Sequence, residues 1–413
     1  MGSALCVETL TTPRVKQKTA LPPKTIFIIH PSDLLTDHKP NGDGLVACDF
    51  IKGLASRGHR LLVAARNTAL ARELPANVVL YPLPTKINIP LFDRLEYMWR
   101  VRRLFKQLAK REPIDLAHQM NPVFTGLSLA LAGFEIPLVL GAYVPRWPND
   151  PDAVAGSLPW LKALVQKINR FVCSIQQRRA TLLMLTSPAA LNRVPFPEQV
   201  DSKIHRLEIG IDAQAFAPAA AARRDARPTI LFLANLQKKK GIYVLLDAFA
   251  QVFKANPDCR LIVAGAGEEA DAIAQKLAAM DCRDNVELVG RVERPNVPAL
   301  LHRCDIFCLP SFGEPYGAVL LEAMSCGKPI VATDAGGIPH LVPSAGGLLV
   351  PPQDASALAA ALLRVSSDES LRRSMGAANR KHIEEHLSWP SVIDQLESGY
   401  AAALELDSRE RTK

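Results

Sequence analysis

The sequence predicts an α/β protein of two domains, each a parallel sheet covered by helices, and three observations carry that prediction. At 413 residues the chain is too long for one ordinary core and suits two domains of roughly 150 to 200 residues. Short, continuous apolar runs alternate with helix-length segments from end to end, as strands buried on both faces require. Several of these runs stop at glycine-bearing turns from which a helix begins, which brings bare backbone to the carboxyl edge of a sheet.

Hydrophobic residues make up 48% of the chain and charged residues 22%, enough apolar material for two buried cores. The eight cysteines, at 6, 48, 173, 259, 282, 304, 308 and 326, form no C-x-x-C pair. That argues for reduced thiols and against a zinc site or disulfide framework. No run of eighteen apolar residues appears and the start lacks a secretory pattern, so a cytoplasmic protein is expected. The net charge of +8 and pI near 9.1 ask for an anionic partner. Much of the excess lies in two segments of helical period, 94–111 and 164–179. In the first, Leu95, Met98, Trp99, Leu104, Phe105 and Leu108 stand among arginines and lysines. Such segments fit either an amphipathic helix lying on anionic lipid headgroups or an ordinary packed helix of a basic protein. No nucleic-acid module accompanies them, so nucleic acid is not expected as a partner.

Residues 1–23 are polar, proline-bearing and aperiodic, the mark of a disordered tail. The first domain, 24–204, opens with the buried strand 24–30, KTIFIIH. The loop 31–43 leads into Asn41-Gly42-Asp43-Gly44, and a helix runs to about Arg57 with Gly58 as its cap. Gly42 and Gly44 either make a tight turn only or let backbone approach a ligand. Strands at 60–65, 78–81, 114–118, 137–140 and 181–185 alternate with helices. His118 ends the third of these, at the edge where open α/β sheets bind ligands; it equally fits a histidine that only hydrogen-bonds a neighbouring loop. Asp150-Pro-Asp152 spells a metal-binding D-x-D, yet it sits in a proline-rich loop and reads as a turn. Residues 217–228 are a polar connection, APAAAARRDARP.

In the second domain, 205–387, strand 229–234 leads to Asn235-Leu-Gln-Lys-Lys-Lys-Gly241, three lysines that fit a solvated loop or an anion site. Strand 260–265 ends at Gly265 and Gly267, which give room for a nucleotide, and 286–292 repeats the theme. The segment 305–342 says most. An apolar run, 306–309, meets a Pro-Ser-Phe-Gly turn, and a helix begins at Tyr316-Gly317. Glu314 precedes that helix and Glu322 lies a little over two turns further on, so the two acids suit a long ligand gripped twice. Between them the helix start offers N–H groups and a positive dipole end, and Gly317 has no side chain to block approach: an anion site, most naturally for phosphate. Taken singly, Glu314 also fits a helix cap and Glu322 a solvated face. A second glycine turn, Asp334-Ala-Gly-Gly-Ile-Pro, follows the strand after Pro329. Amphipathic helices fill 355–386, and Ser388-Trp389-Pro390 opens a last one.

The stretch P-S-F-G-E-P-Y-G-A-V-L-L-E-A-M-S-C-G-K-P-I-V-A-T-D-A-G-G-I-P resembles the E-x7-E region of retaining glycosyltransferases of the two-Rossmann-domain (GT-B) type, the large family-4-like group. The resemblance implies two Rossmann-like domains facing each other across a cleft. The acceptor domain would be 24–204, with the final helix 388–406 crossing back onto it, and 205–387 would hold the donor. The segment 235–241 is similar to the family's G-R-L-x-x-x-K-G loop, so Lys240 matches the lysine that neutralises the leaving diphosphate, while Asn235 replaces the arginine. Glu314 would grip the donor sugar's hydroxyls, the N–H groups of Tyr316, Gly317 and Ala318 the phosphates, and Glu322 the ribose. Gly265 and Ser311 would line the pocket, with Arg291 and Val292 beside the base.

In the first domain Gly42 and Gly44 would face the cleft. Asp115-Leu-Ala-His118 resembles a D-x-x-H strand end, which makes His118 a catalytic candidate. Tyr143 stands near a position where many members carry a histidine, and the Gly141-led loop resembles that of a subgroup. Glu208-Ile-Gly-Ile-Asp212 with Phe216-Ala-Pro218 resembles the interdomain segment. The activity implied is retaining transfer, without metal or cofactor, of a sugar from a nucleotide diphosphate such as UDP or GDP to a glycan or lipid-linked acceptor. Cell-surface polysaccharide or glycolipid assembly at the periphery of a membrane is the setting that fits. A sugar-nucleotide epimerase or phosphorylase of like architecture, and a non-catalytic nucleotide-sugar-binding protein, are the alternatives.

Overall fold

The structure, a computed structural model, describes residues 21–31, 34–39, 42–87, 92–121, 126–145, 159–219 and 227–412. These form two compact units, one within 21–145, 159–210 and 389–412, the other within 211–388.

The first unit contains β1 (Thr25–His30), β2 (Leu35–Thr36), α1 (Gly42–Ser56), β3 (Arg60–Ala65), β4 (Thr68–Ala69), β5 (Val78–Pro82) and α2 (Phe92–Leu108). It continues with β6 (Leu116–Met120), β7 (Leu138–Tyr143), α3 (Pro159–Arg179), β8 (Leu182–Leu185) and β9 (Ile204–Arg206). Seven strands make one parallel sheet in the order β5-β3-β1-β6-β7-β8-β9, and β2 pairs with β4 separately. The apolar runs are strands because both faces are covered. Ile26 and Ile28 pack with Ile51 and Leu54 of α1 and with Ile393 and Leu396 of the helix Trp389–Arg411. Phe27 and Ile29 pack on the other side with Tyr97, Val101 and Phe105 of α2.

Several boundaries move, and the moves matter. β6 and β7 run further than the apolar runs suggest, so His118 lies inside β6 and Tyr143 is the last residue of β7; both are buried. Gly141 sits within β7 and not at the head of a loop, pressed against β8, where a Cβ would stand 2.5 Å from the Met184 Cβ. The helix α1 starts at Gly42, so Gly42 and Gly44 form its first turn, not a loop before it. Gly58 caps it as expected, at φ 86°, with its N–H on the Ala55 carbonyl at 3.0 Å. Of the expected tail, 1–20 lies outside the described residues, while Leu21 packs partly buried on the core. Asp150 and Asp152 also lie outside the described residues. The seven described cysteines are free.

The second unit contains β10 (Thr229–Leu233), α4 (Ile242–Ala255), β11 (Arg260–Ala264), α5 (Ala270–Ala278), β12 (Val286–Gly290), α6 (Val297–His302) and β13 (Ile306–Leu309). After these come α7 (Ala318–Ser325), β14 (Ile330–Thr333), α8 (Ile338–Leu341), β15 (Gly347–Val350), α9 (Ala355–Ser367) and α10 (Glu369–His382). Its six strands are parallel, in the order β12-β11-β10-β13-β14-β15. The order reverses at β10, and an open α/β sheet leaves a ligand crevice at the carboxyl ends beside such a point. Asp354 and Asp368 start α9 and α10 as N-caps, accepting from Ala357 N at 2.8 Å and Leu371 N at 2.9 Å.

The C-terminal helix α11 (Trp389–Arg411) is tied into the first unit by buried polar contacts. Lys24 N donates to His59 Nδ1 at 3.0 Å, which leaves Nε2 to carry the proton toward Glu397 Oε1 at 2.9 Å. His118 Nε2 donates to Gly141 O at 3.0 Å, and its Nδ1 accepts from the Tyr400 hydroxyl at 2.7 Å. Burial lowers the His118 pKa from 6.5 to about 4, so the ring stays neutral in the fold. Below pH 6.5 the unfolded chain takes up a proton that the folded chain refuses, and stability therefore falls as the pH drops toward 4. Tyr400→Phe, which leaves Nδ1 buried without its donor, should cost about 1–3 kcal/mol in urea unfolding at pH 7. A change within error would mean that this contact does not anchor the helix.

Candidate functional site

The site is built from the loops that leave β10 and β13. After β10 the three lysines form a 3-10 turn, Lys238–Lys240, ended by Gly241 at φ 77°. Only glycine fits there, since a Cβ would stand 1.8 Å from the Pro310 carbonyl oxygen. That close approach presses the lysine turn against the segment after β13. Phe312 N donates to Lys239 O at 2.9 Å, Ser311 Oγ donates to the same oxygen at 3.3 Å, and Thr333 Oγ1 from β14 donates to Ser311 O. The outcome is an ion pair: Lys240 Nζ lies 2.5 Å from Glu314 Oε2, with side chains only 16% and 11% exposed.

Glu314 is held from behind by the second glycine turn. Gly337 N donates to Glu314 O at 2.8 Å. A Cβ on Gly336 would stand 2.3 Å from Glu314 O, and one on Gly337 2.3 Å from Pro315 O. The Asp334-Ala-Gly-Gly segment is thus a backbone cradle for the carboxylate loop, a role the sequence did not disclose. Gly317, at φ 83°, then turns the chain into α7, which starts at Ala318 rather than at Tyr316. A Cβ on Gly317 would meet the Glu314 Cγ at 3.1 Å, so the positive end of α7 and the carboxylate are neighbours.

Glu322 lies further along α7, partly buried, and its carboxyl makes no hydrogen bond or ion pair among the described residues. Burial pushes its pKa up from 4.5 to about 7, and the charge of Arg294 opposes the rise only in part. An unpaired, partly buried carboxyl near its midpoint at neutral pH is ready to accept hydrogen bonds from a vicinal diol, which would favour ionisation. Arg294 escaped the sequence reading; its one signal is its place in the charged run just after β12.

Other expected residues fall into three groups. Arg291 and Val292 do follow β12, Arg291 with an exposed side chain 4.0 Å from Glu293, and Asn235 is exposed after β10. Ser311 is a support, buried under the lysine turn, and does not line a pocket. Gly265 and Gly267 do not open space either. Their missing side chains face the loop after β10, where a Cβ would come within 1.9 Å of Ala234 O and 2.4 Å of Leu236 O. Lys238, the first of the three lysines, is largely exposed, with its Nζ 3.8 Å from Glu269 Oε1.

In the first unit the geometry removes two candidates. His118 has both ring nitrogens engaged in the core, and Tyr143 is buried with its hydroxyl accepting from Gln177 Nε2 at 3.3 Å. Neither presents itself to a ligand. Gly44 is buried, while Gly42 is exposed and a Cβ there would meet nothing within 4 Å.

A family model for glycosyl transferases group 1 matches residues 214–382, and one for the glycosyl transferase 4-like domain matches 41–210. A phosphatidyl-myo-inositol mannosyltransferase of Mycobacterium leprae is 31% identical over 309 residues, 73% of this chain and 77% of that protein. A GDP-mannose-dependent monoacylated alpha-(1-6)-phosphatidylinositol monomannoside mannosyltransferase of Corynebacterium glutamicum is 33% identical over 207 residues. That match takes in 46% of this chain and 54% of the relative, so it spans about half the relative's length. Among solved structures, Anabaena HepE in complex with UDP superposes with a TM-score of 0.67 at 21% identity, over 91% of this chain and 98% of that one. At that identity the likeness is one of fold.

The strain at Glu322 is measurable without any ligand. The folded pKa lies above the unfolded one, so the carboxylate costs stability once the pH exceeds about 7, and the cost fades as the pH falls toward 4.5. Glu322→Gln should gain about 1–3 kcal/mol at pH 8, several degrees in melting temperature, and little at pH 5. An equal effect at both pH values would contradict a raised pKa.

Proposed function

Because the chain belongs to the group 1 glycosyltransferases and has the GT-B fold, we propose that it moves a sugar from a nucleotide diphosphate to an acceptor hydroxyl, with retention and without a metal ion. The observation that carries this reading is the Lys240–Glu314 pair at the start of α7, in the same unit as the unpaired Glu322. A bound donor offers each member of the pair a new partner. Glu314 accepts from the sugar's hydroxyls, while Lys240 and the N–H groups at Tyr316 to Ala318 face the diphosphate. Glu322 accepts from the ribose, and the backbone at Arg291 and Val292 borders the base.

In this mechanism the acceptor oxygen attacks the face that the phosphate leaves, through an oxocarbenium-like state, and the departing phosphate oxygen takes the acceptor's proton. With Asn235 in place of an arginine, Lys240 and the end of α7 supply most of the stabilisation of the leaving charge. UDP and GDP are the favoured nucleotides, since HepE was solved with UDP and the Corynebacterium relative is named for GDP-mannose. The acceptor is a glycan or a lipid-linked molecule, handled at the periphery of a membrane during polysaccharide or glycolipid assembly. The name of the Mycobacterium leprae relative, which contains phosphatidyl-myo-inositol, supports the lipid-linked choice.

The test is thermal stabilisation by UDP, GDP, ADP and dTDP, on the wild type and on Glu322→Ala, followed by donor turnover with a membrane extract as acceptor. One nucleotide should raise the melting temperature of the wild type and not of the variant. Lys240→Ala should lower turnover at least about tenfold with the fold intact. Donor conversion with no acceptor would point to an epimerase, conversion needing only inorganic phosphate to a phosphorylase, and binding without turnover to a carrier. Any of these overturns the transferase reading.

A further inference from the structure

The first unit displays apolar side chains that its own core does not use. α2 is apolar on two sides. Tyr97, Val101, Phe105 and Leu108 are buried, and the Tyr97 hydroxyl reaches Ala64 O at 3.0 Å and His30 O at 3.1 Å. On the opposite side Phe92, Leu95 and Trp99, three and four residues apart, are 55%, 51% and 59% exposed. The same stripe continues into the exposed Arg103 and Lys106, and the Arg103 guanidinium lies 5.6 Å over the Trp99 ring. α3 repeats the design. Its Ile168 and Phe171 are 50% and 63% exposed among exposed Lys167, Arg178 and Arg179, while Ser174, Gln176 and Gln177 face inward.

Both helices cover one face of the sheet. Tyr97 and Phe105 of α2 share a single buried cluster with Phe27, Leu140 and Leu183, and Gln176 and Gln177 of α3 bond to Gln119 and Tyr143 on that sheet. The two exposed stripes therefore look outward from one helical layer. The acids of α2 cancel only part of its charge and leave Arg103 and Lys106 of the stripe uncompensated by them. Asp93 is paired with Arg66, and Glu96 pairs with Arg100 at 2.6 Å while accepting from Lys86 N and Ile87 N.

We propose that this layer is a docking surface for an anionic lipid bilayer. It rests on the membrane-peripheral setting proposed above and names the face that provides it. The aromatic and aliphatic side chains enter the boundary between headgroups and acyl chains, and the arginines and lysines meet the phosphates. A second copy of the chain fits less well, because the core of a protein interface is depleted in charge, whereas cations of one sign lie within a turn of each apolar residue here. No described helix is long and apolar enough to cross a membrane, so the attachment is interfacial.

The experiment is sedimentation of the full chain with vesicles of phosphatidylcholine, alone or mixed with phosphatidylglycerol. The wild type should pellet with the anionic vesicles, less so in high salt. The double variant Trp99→Ala/Phe171→Ala should partition about tenfold less, and Arg103→Glu/Lys106→Glu should lose the preference for anionic lipid. All three proteins should keep the same melting temperature and nucleotide response. Failure of the wild type to pellet, or variants that pellet equally, would overturn the proposal. A concentration-dependent dimer lost in the variants would give the face to a second copy instead. Vesicle binding that persists without any nucleotide response would sink the transferase reading and leave this surface standing.

Discussion

The candidate site depends on one ion pair whose geometry the backbone imposes. Pairing two partly buried charges returns their desolvation cost only when the geometry is good, so the Lys240–Glu314 contact is a poor stabiliser by itself. What holds it is steric. Gly241 lies against Pro310 and Gly336 against Glu314, contacts that any side chain would block. The two loops are thus locked before any ligand arrives, with an acid and a base on separate loops at the start of α7. Free of ligand, each charge satisfies the other. A phosphorylated, hydroxylated ligand can exchange partners with both instead of stripping water from either, which is preorganisation achieved by glycine packing.

Much of this was legible and some was not, for physical reasons. The strands could be read because burial on both faces leaves continuous apolar runs, and the nearness of Lys240 to Glu314 because motif spacing survives in one chain. Roles that depend on a neighbour could not be read. Gly265 looked like room for a nucleotide, yet its neighbour is Ala234 O, a contact set by strand pairing that no local pattern encodes. A two-residue shift in the end of β6 carried His118 from the sheet's edge into its interior. In α2 the period announced an amphipathic helix but not which apolar stripe faces inward. Tyr97 and Trp99, two residues apart, fall on opposite sides, and only the packing of the sheet decides between them.

His118 and Glu322 together show what separates a structural polar group from a functional one. Burial shifts both strongly, one to about 4 and the other to about 7, so the shift alone does not discriminate. Partners do. Every ring nitrogen of His118 is used, by Gly141 and Tyr400, and its neutral form completes a packed core. His30 tests the criterion from the other direction: neither ring nitrogen makes a well-formed hydrogen bond, although the Leu34 backbone lies near, yet the residue is wholly buried, so solvent and ligand do not reach it. Glu322 alone of the three combines a carboxyl without a partner among the described residues with partial exposure. A carboxyl left in that state costs the free protein stability, and selection tolerates such a cost where a ligand supplies the missing hydrogen bonds.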